Sequence, residues 1–126
     1  MATPGAGTGS TGGKMAEAAI VDGIFRALSD PTRRHVLERL SARPASVSEL
    51  AAPYDMALPS FLQHMKVLEK SGLVRSRKAG RVRTYSIEPE RLKLAEDWLE
   101  RQRSMWERRL DRLGSYLMKM KEENSE

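Results

Sequence analysis

The sequence predicts a mainly α-helical domain with one β-hairpin, followed by a long C-terminal helix. Three observations indicate this fold class: apolar residues recur at helical spacing through the N-terminal half, two strand-like runs flank Ala79-Gly80, and no proline follows Pro89. A short helix, a tight turn, a second helix and a basic hairpin form the order of a winged helix-turn-helix. The predicted fold class is therefore a winged helix-turn-helix with a long C-terminal dimerisation helix.

Composition restricts the classes of protein to consider. The chain has 126 residues, of which 40% are hydrophobic, so there is room for one domain with a modest core. No apolar run is long enough for a membrane span and no secretory signal is visible, so we expect a cytoplasmic protein without a membrane partner. Cysteine is absent, which excludes disulfides and thiolate metal sites. The net charge of +5 favours a polyanionic partner.

Three segments follow from composition and periodicity. Residues 1–13 are rich in Gly, Thr, Ser and Ala and have too few apolar groups to offset the entropy of ordering, so we expect a disordered tail. Residues 14–89 form the predicted winged helix-turn-helix DNA-binding domain. Residues 90–121 form the predicted C-terminal dimerisation helix, packed on the same domain.

The first two helices have clear local signals. Between Met15 and Leu28 apolar residues recur at helical spacing, at Ile20, Ile24, Ala27 and Leu28. Asp30-Pro31 then provides an N-cap oxygen followed by a proline at the first helical position, where its missing N–H costs nothing. The second helix is predicted from about Pro31 to Ser41.

The next two helices form the predicted helix-turn-helix. Residues 46–49 have the spacing of a capping box, in which a Ser hydroxyl and a Glu carboxylate satisfy opposite backbone donors at a helix start. Pro53 ends this short helix and leaves residues 54–57 as the turn. Leu58-Pro59 opens a fourth helix, and Ser71-Gly72 ends it.

The hairpin and the last helix complete the domain. Leu73–Lys78 and Val82–Ile87 are short runs with β-branched and aromatic residues, which favour strands. After Pro89, apolar residues repeat every seventh position, at Leu92, Leu99, Trp106, Leu113 and Met120. A helix of about thirty residues spans about 45 Å at 1.5 Å per residue. It is longer than the winged core beside it, so we expect part of the stripe to pack against a second chain.

One face of the fourth helix is the candidate DNA-reading surface. Phe61, Met65 and Leu68 fall on the core side, which leaves polar residues on another face. The predicted contacts are Pro59, Ser60, Gln63, His64 and Lys66. Gln suits adenine, Ser can bond base edges or phosphates, and Lys neutralises phosphates. The alternative interpretation is an ordinary solvated helix surface.

The hairpin carries five cations with no acid between Leu73 and Ile87: Arg75, Arg77, Lys78, Arg81 and Arg83. This imbalance favours contact with DNA phosphates. The alternative is a charged strand edge that prevents edge-to-edge aggregation.

Residues of the first and last helices are candidates for a dimer interface: Ile20, Ile24, Leu99, Trp106, Leu110, Leu113 and Leu117. His35 and His64 are the only histidines, and neither has a second ligand at metal-site spacing, so we predict no metal and no cofactor. No nucleophile turn, phosphate loop or paired-carboxylate motif occurs, so we do not expect an enzyme.

The motif FRALSDPTRR at residues 25–34, followed by Val36-Leu37, resembles the opening motif of the ArsR/SmtB family of repressors. Residues 49–51 and 59–74 resemble that family's helix-turn-helix, and Gly80–Tyr85 resembles its wing. The resemblance implies a winged helix that dimerises through its first and last helices and represses its own or a neighbouring operon. It implies DNA contact by Ser60, Gln63, His64 and the wing cations. Two-fold symmetry implies double-stranded DNA with a near-palindromic operator.

The chain departs from the family's metal-sensing members. It has neither their cysteine pairs nor their His and Asp on the last helix, and residues 53–56 resemble the metal-independent branch. The resemblance therefore implies release by a non-metal signal, a small-molecule or protein effector. Ala57 stands where Ser or Thr usually caps the recognition helix, and Leu58 replaces a commonly polar residue.

A competing hypothesis is a protein-interaction module. In that reading the winged domain is only a scaffold and the last helix docks onto a partner. An apolar stripe left exposed in a monomer would favour it.

Overall fold

The computed structural model describes residues 5–124. Five helices and three short strands follow one another along this part of the chain: α1 (Gly5–Leu28), α2 (Pro31–Ala42), β1 (Ala45–Ser46), α3 (Val47–Ala51), α4 (Leu58–Lys70), β2 (Val74–Ala79), β3 (Val82–Ile87) and α5 (Pro89–Asn124). The predicted winged helix-turn-helix is confirmed, with α3 and α4 as its helix pair and the β2–β3 hairpin as its wing.

The first helix begins earlier than the composition indicated. α1 starts at Gly5, whereas residues 1–13 were expected to form a disordered tail. The helix thus continues into a glycine-rich segment of poor helical propensity, and nothing in the structure explains this extension. Residues 1–4 of the expected tail lie outside the described residues.

The corner between α1 and α2 explains the DPTRR part of the sequence. The Asp30 carboxylate is the N-cap of α2 and accepts the Arg33 backbone N–H at 3.0 Å. The Arg33 Nε donates to the Ala27 carbonyl at 2.8 Å, and Arg34 donates to the Leu28 carbonyl at 2.7 Å. Carbonyls in a last helical turn lack intrahelical partners, so both arginines satisfy the end of α1 and complement its dipole.

A second set of contacts holds α3 and the turn after it. The Ser46 hydroxyl accepts the Glu49 N–H at 3.2 Å, and the Ser46 N–H donates to the Glu49 carboxylate at 3.1 Å, which confirms the capping box. Arg39 of α2 donates to the Glu49 and Leu50 carbonyls at the end of α3. In the turn, the Tyr54 ring stacks on Phe61 with 5.6 Å between ring centroids. These contacts fix the start of α4.

The sheet has three antiparallel strands in the order β1-β3-β2. Ala79 pairs with Val82, so the hairpin closes through Gly80 and Arg81. Gly80 has a φ of +62°, a conformation that such a two-residue turn requires and that glycine adopts without steric cost. The sequence did not predict β1, because a two-residue strand is too short to show an alternating pattern.

The core of the first compact unit, residues 1–95, is centred on α4. Phe61, Met65 and Leu68 are fully buried, as the spacing predicted. They pack in one cluster with residues from the other helices and the sheet, among them Ile24, Val36, Leu40, Leu50, Leu73, Val74, Tyr85 and Ala95. This packing makes α4 a rigid support for the side chains on its outer surface.

Ile24 corrects the predicted dimer interface. Its side chain has no exposed surface and lies in the core of its own domain, so it offers nothing to a second chain. Helical spacing alone does not distinguish the inward side of α1 from a side that faces a partner. Ile20, one turn earlier, is partly buried against the same core.

The second compact unit, residues 96–126, contains the remainder of α5. Within the described residues 96–124, no side chain is buried. The predicted interface residues Leu99, Trp106, Leu110, Leu113 and Leu117 are each more than half exposed. None of the helices among residues 5–124 has the length and apolarity that a membrane span requires.

Candidate nucleic-acid interface

The outer side of α4 presents polar side chains supported by the core behind them. Pro59, Ser60, Gln63 and Lys66 are exposed, as the sequence analysis predicted. The side chains of Gln63 and Lys66 make no hydrogen bond or ion pair with another residue of the described chain, so their polar groups are available to a ligand. Lys70, seven residues after Gln63, continues the same side of the helix.

His64 is the predicted contact that the structure places differently. Its side chain is only 23% exposed, with Nδ1 at 3.0 Å from the Arg33 guanidinium and 3.7 Å from the Asp30 carboxylate. Arginine can only donate, so Nδ1 accepts this hydrogen bond, and we assign the ring hydrogen to Nε2. His64 therefore links α4 to the α1–α2 corner through Nδ1. No pattern in the sequence indicated Arg33 as its partner.

The pKa of Asp30, whose carboxylate lies beside His64, is shifted. Burial alone would raise the pKa of Asp30, but the hydrogen bond from the Arg33 N–H and the positive charge of the Arg33 guanidinium, joined by that of His64 whenever its ring is protonated, outweigh burial. The pKa of this carboxyl group is therefore below its usual value. The ionised form of Asp30 caps α2 at neutral pH.

The N-terminus of α4 has no side-chain cap. Ala57 occupies the N-cap position, and no side chain accepts a hydrogen bond from the first turn there. Ala57 is the residue that departs from the Ser or Thr expected at this position from the family resemblance. The exposed first turn, at Leu58, Pro59 and Ser60, carries the positive end of the helix dipole.

The strand register divides the wing cations between two faces. Side chains alternate along a strand, and Lys78 pairs with Arg83, so these two share the face that carries Ser76 and Tyr85. Arg75 and Arg77 lie on the opposite face. The five cations predicted from the sequence therefore do not form one cluster, with Arg81 at the turn between the strands.

A short chain of hydrogen bonds ties one wing face to α4. Arg83 donates to the Ser76 hydroxyl at 2.6 Å, and that hydroxyl donates to the Glu69 carboxylate at 3.2 Å. Tyr85 lies buried on the same face, where burial and the nearby Glu69 raise the pKa of its hydroxyl and Arg83 partly opposes them. The face with Lys78 and Arg83 is therefore the one turned toward the recognition helix.

Arg75 corrects the expectation that the wing charge is unbalanced. Its Nε lies 2.8 Å from a carboxylate oxygen of Glu88, the residue immediately after β3. The acid-free segment ends one position too early to include this partner. Of the predicted phosphate contacts, Arg75 is thus already paired within the domain.

Two leucines of α4 are exposed although no sequence pattern predicted Leu62 at the surface. Leu58 and Leu62 are 53% and 40% exposed, whereas the apolar side chains on the core side of α4 are fully buried. The sequence feature that could have indicated the exposure of Leu58 and Leu62 is that neither position falls in the buried series Phe61, Met65 and Leu68.

Comparison with known proteins agrees with this geometry. Residues 28–77 match a family model described as a helix-turn-helix domain. A crystal structure of an ArsR family transcriptional regulator is similar, with a TM-score of 0.69 and 57% identity, over 71% of this chain and 93% of that one.

Two further relatives are transcriptional regulators. The HTH-type transcriptional regulator Rv2034 of Mycobacterium tuberculosis is 43% identical over 68 residues, which cover 54% of this chain and 64% of that protein. The transcriptional repressor SdpR of Bacillus subtilis is 25% identical over 79 residues, 63% of this chain and 88% of that protein.

Proposed function

This chain belongs to the ArsR family of winged helix-turn-helix transcriptional regulators, and from this premise we propose that it binds a near-palindromic operator as a homodimer. It represses its own or a neighbouring operon until a non-metal signal releases it. Membership of this family shows that the chain is a DNA-binding regulator and not an enzyme.

The outer side of α4 is the observation that carries the proposal. Gln63 has a free amide that can bond adenine through both its donor and its acceptor, and Lys66 and Lys70 add charge for phosphates. Behind them the helix is anchored by fully buried side chains, so entry into the major groove would not require α4 to move.

The wing provides the second contact in this proposal. Lys78 and Arg83 lie on the face turned toward α4, and Arg83 is oriented by Ser76. A helix in the major groove and a hairpin beside it can thus contact one stretch of duplex.

Dimerisation is supported by residues 96–124. Their exposed apolar side chains repeat at Leu99, Trp106 and Leu113, with Leu110 and Leu117 four residues after Trp106 and Leu113, which is the spacing of a helix that pairs with another helix. A two-fold axis between two copies would place two α4 helices on two half-sites.

The signal that we propose is a small molecule or a protein, because among the described residues no three His, Asp or Glu side chains are grouped so that they could hold a metal ion. The Nδ1 atoms of His35 and His64 are hydrogen-bonded to Tyr54 and Arg33, respectively. The sequence contains no cysteine.

The second candidate function is a protein-interaction module, which the exposed stripe of residues 96–124 also favours. The two functions differ in solution, because a repressor is a dimer that selects DNA sequences and a docking module is a monomer with an unoccupied stripe. Light scattering of the full chain separates them.

The test is a fluorescence anisotropy titration of the full chain. Duplexes selected by the protein from a random library are compared with scrambled duplexes, at low and near-physiological salt. We expect Gln63→Ala to lose about 1–3 kcal/mol of discrimination, since a bidentate base contact is worth that much. Ser115→Ala, at an exposed position of the last helix on the side away from Leu113, is the control and keeps it. Equal affinity of the unchanged protein for selected and scrambled DNA would reject the proposal.

A further inference from the structure

We propose that Leu62, together with Leu58 one turn earlier, contacts the C5-methyl group of thymine in the major groove and so makes this regulator prefer thymine at that position. The inference rests on the proposed function and extends it from hydrogen-bond readout to apolar readout. It assigns part of the sequence preference to a side chain that has no polar group.

The domain does not use Leu58 and Leu62 for its own core. Leu58 and Leu62 are 53% and 40% exposed, while Phe61, Met65 and Leu68 of the same helix are fully buried. The two leucines are four residues apart and therefore adjacent on the helix surface. They form a small apolar patch on the helix that carries Gln63 and Lys66.

This patch lies between the two predicted DNA contacts, which are the outer side of α4 and the wing. Glu69, seven residues after Leu62, lies on the same flank of α4 and accepts a hydrogen bond from Ser76 of the wing. Leu62 therefore lies on the flank that faces the wing, next to the outward residue Gln63. When a recognition helix and its wing contact one duplex, this flank lies against the DNA.

The groups on the major-groove edges of the base pairs favour thymine as the partner of Leu62. On the major-groove edges of the four base pairs, the methyl group of thymine is the apolar group that a leucine can cover. A polar side chain at position 62 would not gain from that contact, whereas leucine removes apolar surface of its own and of the methyl group from water. The surrounding charges of Lys66 and Lys70 favour DNA over an apolar protein partner at this patch.

The experiment removes the methyl group from the DNA rather than the side chain alone. In the duplex selected from a random library, each thymine is replaced in turn by 2′-deoxyuridine, which keeps all hydrogen-bonding groups. At one position in each half-site, we expect a single replacement to weaken binding about fourfold, from roughly 0.8 kcal/mol per buried methyl group. Replacement in both half-sites is expected to weaken binding about fifteenfold, because the two losses add in free energy.

Two variants complete the cycle. Leu62→Ala is expected to bind the thymine duplex more weakly and to lose its sensitivity to deoxyuridine at that position; Leu62→Gln, which keeps the length of the side chain, is expected to behave likewise. Gln63→Ala is the control on the same helix, and it retains the full deoxyuridine effect because its contact is a hydrogen bond. Melting temperatures and light scattering establish that each variant is folded with an unchanged mass.

The outcomes are distinct. Selective binding without any effect of deoxyuridine overturns the methyl contact while leaving the proposed function intact, as does an undiminished effect in Leu62→Ala. A change of oligomeric mass in Leu62→Ala identifies the patch as a protein interface and also overturns the inference. Failure of the unchanged protein to select any duplex rejects the proposed function itself.

Discussion

Arg33 shows how one side chain can serve both the fold and the site. Its guanidinium donates to the carbonyls of Arg26 and Ala27 at the end of α1 and to Nδ1 of His64 on the recognition helix. Its backbone N–H also binds Asp30, the cap of α2. The residue therefore joins three helices, which a lysine with a single ammonium group could not do.

Gly72 at the end of α4 is a position where an added methyl group is strained by the backbone conformation and displaces the Arg91 side chain. Its φ is +82°, and a Cβ there would lie 2.8 Å from the Arg91 side chain. We expect Gly72→Ala to lower the free energy of unfolding by about 1–2 kcal/mol. Gly23→Ala is the control, because it lies within α1 with nothing near a Cβ, and we expect a gain of about 0.5–1 kcal/mol. Urea denaturation measures both, and equal effects would contradict the assignment.

Asp30 makes stability depend on pH in one direction. Its pKa is lowered in the folded chain, so the ionised carboxylate stabilises the fold above the unfolded value of about 3.9. This contribution is lost as the pH falls through the lowered pKa. We therefore expect Asp30→Asn, which keeps a capping oxygen, to lose less stability than the unchanged protein between about pH 5 and pH 3. Asp55→Asn, in the exposed turn, is the control; an identical acid dependence in all three proteins would refute this.

At the scale of elements, local signals were predictable and long-range ones were not. The starts of α2 and α3 follow from Asp30 and Ser46, because a cap is formed within four residues. The strand β1, the burial of Ile24 and the pairing of Arg75 with Glu88 each depend on contacts that folding brings together. The local spacing of residues in the sequence does not predict these long-range contacts.

The candidate site divides in the same way. Helical spacing was enough to place Gln63 and Lys66 on the outer side of α4, because that side is opposite the buried series. The anchoring of His64 by Arg33, 31 positions away, was not predictable from spacing. The same holds for the division of the wing cations, since it depends on the strand register.

The two faces of the wing give a prediction for this element. We expect Arg83→Ala to lower the slope of log affinity against log salt by about 0.9, the loss of one phosphate contact. Arg75→Ala is the matched control, because Arg75 lies on the other face and is already paired with Glu88. Anisotropy titrations over a salt series give both slopes. Equal losses would mean that the face opposite α4 also meets the DNA.

At the scale of the whole molecule, the chain combines a compact winged domain with a helix that buries none of its residues between 96 and 124. An apolar stripe of this length is costly to leave in water, which supports the proposal that the chain pairs with a second copy. Two copies would give two recognition helices, and the specificity of the pair would exceed that of either copy alone.

The central claim is that two α4 helices read two major-groove half-sites, and a dimethyl sulfate footprint on a selected duplex tests it most directly. Methylation of guanine N7 reports the major groove. We expect two protected patches on one face of the duplex, with centres about 10 base pairs or a multiple of that apart, and loss of both patches at high salt. A single patch, or protection spread evenly along the duplex, would contradict the account.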